Sequence, residues 1–188
     1  MNRFATLAAL TGALVLAGCS TPARMEQMQV ESSLGDRAAF QNSILRSQIA
    51  MKDVTGGKET NPMWISNVSS EEFARALEAS LRGAGLLADN RQGSKYLLTA
   101  HLLKLDQPLM GASMTVTATV QYTLVERATG KDVFSRTLVT PFTAAWNAAF
   151  LGAERLKLAN EGSIRANIGA LIEALKGVQV SQLSLQGS

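Results

Sequence analysis

Within the segment Ser113 to Arg127 the chain alternates without a break from Met114 to Leu124. Met114, Val116, Ala118, Val120, Tyr122 and Leu124 are separated by Thr115, Thr117, Thr119, Gln121 and Thr123. Successive side chains of a strand point to opposite faces, so this spacing gives one strand an apolar face and a hydroxyl-rich face. Such a strand belongs in an antiparallel sheet with one side covered and the other in water. The cover has to come from elsewhere in the chain, which narrows the fold to a layered one.

The flanking segments supply the rest of the sheet. Ala128-Thr129-Gly130-Lys131 reads as a hairpin loop, and Asp132 to Phe142 as the returning strand. Pro141 has no amide hydrogen to give to a ladder, so it should lie at that strand's end or on an edge. Lys95 to Asp106 reads as a strand broken by Pro108 and Gly111, and Ser43 to Val54 as a first strand that ends at Gly56-Gly57. Lys58 to Val68 is expected to be a loop holding Pro62, Met63 and Trp64.

Helices provide the cover. Ser69-x-x-Glu72 has capping-box spacing, and Glu71 and Glu72 suit the positive end of a helix dipole. Phe73, Ala76, Leu77, Ser80 and Leu81 then share one face, and Gly83 and Gly85 end the helix. A last helix, about 153–176, buries Ile164, Ile168, Leu171, Ile172 and Leu175. Gly162 and Gly169 are expected to weaken or kink it, by about 1 kcal/mol each relative to Ala. Thr143 to Gly152 is an apolar junction before it. The order β-α-β-β-β-α gives an α+β fold, a two-layer sandwich whose antiparallel-rich sheet carries two helices on one face. It occupies a single domain, residues 40–178, followed by a polar tail, 179–188.

Composition excludes several function classes. The chain is 46% hydrophobic and 18% charged, enough to bury a core. A net charge of +3 with no Lys/Arg cluster is a poor nucleic-acid surface. The single Cys excludes a disulfide framework, and the single His excludes a paired-histidine zinc site. No metal, cofactor or nucleic acid is expected.

The N-terminus reads as an address. Arg3 precedes an uncharged, mostly apolar stretch from Phe4 to Ala17. Its 14 residues are too few to span a bilayer, which takes about 20, but they suit a signal peptide. The stretch ends in Leu16-Ala17-Gly18-Cys19. These residues resemble the lipobox of bacterial lipoproteins. That resemblance implies lipidation of Cys19, removal of residues 1–18 and acylation, including palmitate, of the new N-terminus. The alternative is an ordinary secretory signal with a chance cysteine. Ser20, not Asp, follows the cysteine, and by the enterobacterial sorting rule this resembles an outer-membrane destination with the domain in the periplasm; the inner membrane and cell surface stay open. Residues 20–39 are polar with no strong period, so 19–39 are expected to form the lipidated Cys and a flexible tether. A short helix at Met25 and Met28 is the less favoured reading.

A second, looser resemblance covers about Ser43 to Lys176. Phe73-x-x-Ala76-Leu77-x-x-x-Leu81-x-x-x-Gly85, then Tyr96-Leu97-Leu98, then Tyr122-x-Leu124, Thr129-Gly130 and a closing Ile/Leu helix look like YajG-type lipoproteins. The layout is also similar to the N-terminal domain of TolB, to LptE and to PqiC-type lipoproteins. The resemblance implies a partner-binding or scaffold role, not an enzyme.

The residues themselves offer few sites. His101 lies mid-strand with no Gly-x-Ser-x-Gly nearby, so a structural or surface role is favoured. Gly56-Gly57-Lys58 lacks the upstream Gly and the Ser/Thr of a P-loop. Trp64, Met110, Trp146 and Phe150 lie on loops and are the candidates for a partner-binding patch. Such residues either plug the ends of the core or form a contact surface; with 5% aromatics in all, plugs are favoured. The Thr face of the alternating strand is a further possible contact surface. The leading expectation is a non-enzymatic, lipid-anchored envelope module that binds another envelope protein. The alternative, a binder of lipid or another apolar small molecule, requires a cavity between helices and sheet.

Overall fold

The computed structural model describes residues 21–61 and 66–178. The leader 1–18, the lipidation candidate Cys19, the loop residues Pro62, Met63 and Trp64, and the tail 179–188 lie outside the described residues. The elements run α1 (Met25–Met28), α2 (Leu34–Ala39), β1 (Ile49–Thr55), α3 (Ser70–Gly83), β2 (Tyr96–Asp106), β3 (Met114–Glu126), β4 (Asp132–Ala144) and α4 (Gly152–Lys176). The sheet order is β1-β2-β3-β4. β1 runs parallel to β2 across the α3 crossover, and the other pairs are antiparallel.

The alternation in β3 is obeyed: Val116, Ala118, Val120, Tyr122 and Leu124 are fully buried, and the residues between them reach the other face. Pro141 falls on β4, an edge strand, opposite Thr117. In β2 the register slips between Leu102 and Lys104, which leaves Leu103, exposed on the open side of the sheet, without a partner on β3. Gly56 sits beside this slip. Its φ is +85°, and a Cβ there would lie 2.1 Å from the Leu102 carbonyl oxygen, so the turn after β1 needs a glycine.

Both long helices pack on one face. Phe73, Leu77 and Leu81 of α3 and Ile164, Ile168, Leu171 and Leu175 of α4 share one core with Tyr96, Leu98, Val120 and Leu124. α4 runs as one helix from Gly152 to Lys176, with Gly162 and Gly169 inside it. A Cβ at Gly162 would lie 2.2 Å from the Phe142 ring. The glycine is there to let β4 approach the helix.

Two expectations need correction. Ser43 to Gln48 is a run of turns rather than strand, and β1 begins at Ile49; Leu45 still reaches the core. Residues 21–39 are not a tether. Ala23 and Met28 are buried, and α1 rests on both α3 and α4. The Met spacing that hinted at a short helix is the apolar underside of α1. Polar composition misled because the segment's bonds go to side chains of two helices far away in sequence.

Candidate functional site

The first turn of α1 is held by two carboxylates. Glu161 of α4, 2% exposed, accepts the Arg24 backbone N–H at 2.9 Å and the Arg24 Nε–H at 3.1 Å. Glu72 of α3 accepts the Met25 N–H at 3.2 Å. Ser69 Oγ caps α3 by accepting the Glu72 N–H at 3.2 Å. The spacing Ser69-x-x-Glu72 thus marks the helix start correctly, while the Glu72 side chain reaches out to α1 and pairs with Arg75. The Glu161 carboxylate raises the Arg24 guanidinium pKa by a hydrogen bond and by charge. Further along, the Val30 N–H donates to Ser80 Oγ at 2.8 Å, and Lys176 bridges to Asp36 at 2.7 Å.

A knot of polar groups lies just upstream. Lys157 Nζ donates to Thr21 Oγ1 at 3.0 Å, and Ser66 Oγ donates to the Thr21 carbonyl at 2.8 Å. Gln107 Nε2 donates to the Ser66 carbonyl and to Asn160 Oδ1, at 2.9 and 2.8 Å. Asn160 Nδ2 donates to the same Ser66 carbonyl at 2.8 Å. The knot joins Thr21, the loop before α3, the foot of the β2–β3 loop and the second and third turns of α4. Ser66 and Asn160 are buried, so these bonds replace water that the groups have lost.

Beyond the knot the surface is apolar. Met110 on the β2–β3 loop is 88% exposed, and Trp146 and Phe150 on the β4–α4 junction are 69% and 98% exposed. Leu109 and Leu151, which sequence reasoning did not single out, join them in the open. The favoured reading of Met110, Trp146 and Phe150 as core plugs is therefore corrected. The end of the core is closed instead by Met114, Val116, Ala144, Leu156 and Ala159, which leaves the loop residues outside. Met114 pairs with Ala144, so both loops leave the same end of the sheet. Arg155 Nη1 fixes the junction by donating to the carbonyls of Ala149 and Phe150, at 2.8 and 3.1 Å. Trp64 lies outside the described residues.

His101 faces solvent on β2, where its Nδ1 meets Thr55 Oγ1 at 2.6 Å. Among the described residues, no cluster of His, Cys, Asp and Glu has the makings of a metal site, and no helix is long and apolar enough to cross a membrane. Between the helices and the sheet lie the side chains of one apolar cluster, Phe73, Leu77, Tyr96, Val120, Ile164 and Leu171 among them. Clefts open on the surface. One of about 630 Å3 lies between Phe40, Arg46, Arg82 and Gly85, with Arg46 donating to the Gln41 carbonyl and Arg82 paired with Glu78.

No family model and no curated protein matches this sequence. The fold is similar to that of a Caulobacter crescentus protein provisionally named a lipoprotein, with a TM-score of 0.53 and 11% identity over 77% of this chain and 98% of that one. A Xanthomonas campestris protein of the DUF330 family aligns with a TM-score of 0.49 and 14% identity over 72% of this chain and 85% of that one. A minor lipoprotein of Acinetobacter baumannii aligns with a TM-score of 0.47 and 11% identity over 71% and 95%. The first of these establishes likeness of fold between this chain and the Caulobacter protein.

Proposed function

We propose that the chain is a lipid-anchored lipoprotein of the bacterial envelope that works by binding rather than by catalysis, positioning another envelope component from the periplasmic side of the outer membrane. The observation that carries this reading is the junction between lipobox and fold. Cys19 is separated from Thr21 by Ser20 alone, and Thr21 is bonded to Lys157 and Ser66. A lipid on Cys19 is thereby attached to the folded domain itself. The likeness of fold to the Caulobacter lipoprotein supports the reading. So does the solvent-facing His101 with Thr55 for its partner. The outer face of the sheet, with Thr115, Gln121, Thr137 and Thr143 uncovered by any helix, is available to a partner.

Membrane fractionation of wild type and Cys19→Ala tests the anchor. Wild type is expected in the membrane fraction and the variant in the soluble periplasmic fraction; equal sedimentation of both overturns the reading. Capture of the lipidated protein from crosslinked membranes tests the role. A stoichiometric envelope protein, lost when Gln121 and Thr137 are both replaced by Arg, is the expected result. Copurified lipid with no protein would favour the small-molecule alternative.

A further inference from the structure

We infer that Leu109, Met110, Trp146, Phe150 and Leu151 dip into the surface of the bilayer that holds the Cys19 lipid, so that the domain lies on the membrane in one fixed orientation. This rests on the lipoprotein reading and goes beyond it, because an acyl anchor on a flexible tether needs no second contact. The argument is one of reach. Two residues of chain span at most about 7 Å, so a lipidated Cys19 cannot leave the neighbourhood of Thr21. Thr21 is bonded to Lys157 and Ser66, and Ser66 in turn accepts from Gln107. Leu109 and Met110 follow Gln107 after Pro108 alone, and Leu151 is the N-cap residue of the helix that carries Lys157. The lipid attachment point and the apolar loops therefore occupy one end of the molecule.

The opposite end has a different character. There Arg91, Gln92, Arg127, Thr129 and Lys131 are exposed, and Arg127 bonds to the carbonyls of Arg91 and Ser94. Among the described residues, the other large exposed apolar side chains are Leu34, Ile44, Leu103 and Val139, on α2, the turns before β1, β2 and β4. At the apolar end Lys104 pairs with Asp106 and Lys157 with Glu154, and Arg155 donates to the Ala149 and Phe150 carbonyls, so these three cations are already engaged within the protein. Trp146 suits the headgroup boundary, where amphipathic rings collect, and Phe150 and Leu109 carry the buried apolar area that binds an interface.

The test uses the full lipidated protein in a Trp64→Phe background, which leaves Trp146 as the single tryptophan. It is reconstituted into zwitterionic phosphatidylcholine vesicles with or without bromine on the acyl chains. Bromolipid is expected to quench Trp146 emission and its spectrum to shift to the blue. The Met110→Asp/Phe150→Asp variant is expected to float with the vesicles as before but to lose both effects. Both residues stand almost wholly in solvent, so the variant keeps its fold, which circular dichroism checks. Full Trp146 emission in bromolipid vesicles that carry the floated wild type overturns the inference, leaves the anchor intact and returns the patch to a protein partner. Failure of the wild type to float overturns the lipoprotein reading and the inference with it.

Discussion

Arg24 gives both its backbone N–H and its guanidinium to the Glu161 carboxylate, at 2.9 and 3.1 Å, across 137 positions of sequence. This pair, with Glu72 on Met25, decides whether the N-terminal segment is part of the domain or hangs from it. Hydrogen bonds to charged groups are worth about 1.5–3 kcal/mol each, and the half-exposed Arg24 guanidinium places its share at the low end. Glu161→Ala is therefore expected to cost about 2 kcal/mol in a denaturant titration. It is also expected to let trypsin cut after Arg24 faster than it cuts the wild type. Unchanged cleavage would mean that α1 is held by its apolar underside alone.

The contact between Gly162 and Phe142 runs against helix propensity. Gly to Ala inside a helix normally gains about 1 kcal/mol. Here the new Cβ would meet the ring at 2.2 Å, and overpacking costs about 1–3 kcal/mol. Gly162→Ala is expected to destabilise, and to become neutral or stabilising in a Phe142→Ala background. A double-mutant cycle in thermal denaturation reads the difference.

Two fully buried tyrosines should respond differently to loss of their hydroxyls. Tyr122 OH donates to Asn167 Oδ1 at 2.9 Å, and burial pushes its pKa far above the usual phenol value. Tyr96 OH has no partner among the described residues. Tyr122→Phe leaves Asn167 Oδ1 without its donor and is expected to cost about 1–2 kcal/mol. Tyr96→Phe is expected to be neutral or slightly stabilising. Equal losses in chemical denaturation would contradict this assignment.

Acid should loosen the α2 end of the N-terminal segment. Lys176 and then Ser33 hydrogen-bond the Asp36 carboxylate and hold its pKa down from 3.8 to about 2. A carboxyl depressed on folding stabilises above its unfolded pKa and loses that contribution as pH falls through the folded one. The contribution is full above about pH 4 and fades between there and pH 2. NMR or hydrogen exchange at residues 33–40 over that range is expected to show the loss in wild type and not in Asp36→Asn.

Much of the fold was legible because its signals are local. The period of two in Met114–Leu124, the serine cap at Ser69 and the Ile/Leu stripe of α4 each lie within one element, and each sits where the spacing put it. The N-terminal segment was not legible. Its order comes from Glu72, Ser80, Glu161 and Lys176, all remote in sequence. The same holds for Gly162, whose partner Phe142 is on another element.

The apolar end was half legible. Met110, Trp146 and Phe150 stood out as large apolar residues on loops, but whether a loop folds inward is set by what already fills the end of the core. Met114, Leu156 and Ala159 take that space. The polar residue Gln107, which ties this end to Thr21 through Ser66, carried no motif, although its place beside Pro108 at the end of an apolar strand marks a turn that has to satisfy its own polar groups.

The account depends most on lipid at Cys19, and intact-mass spectrometry of the protein extracted from membranes reads this directly. The expected result is a chain that begins at Cys19, lacks residues 1–18 and carries the added mass of a diacylglyceryl group and an N-acyl chain. A mature chain cut elsewhere, with Cys19 absent or its thiol free, would contradict it.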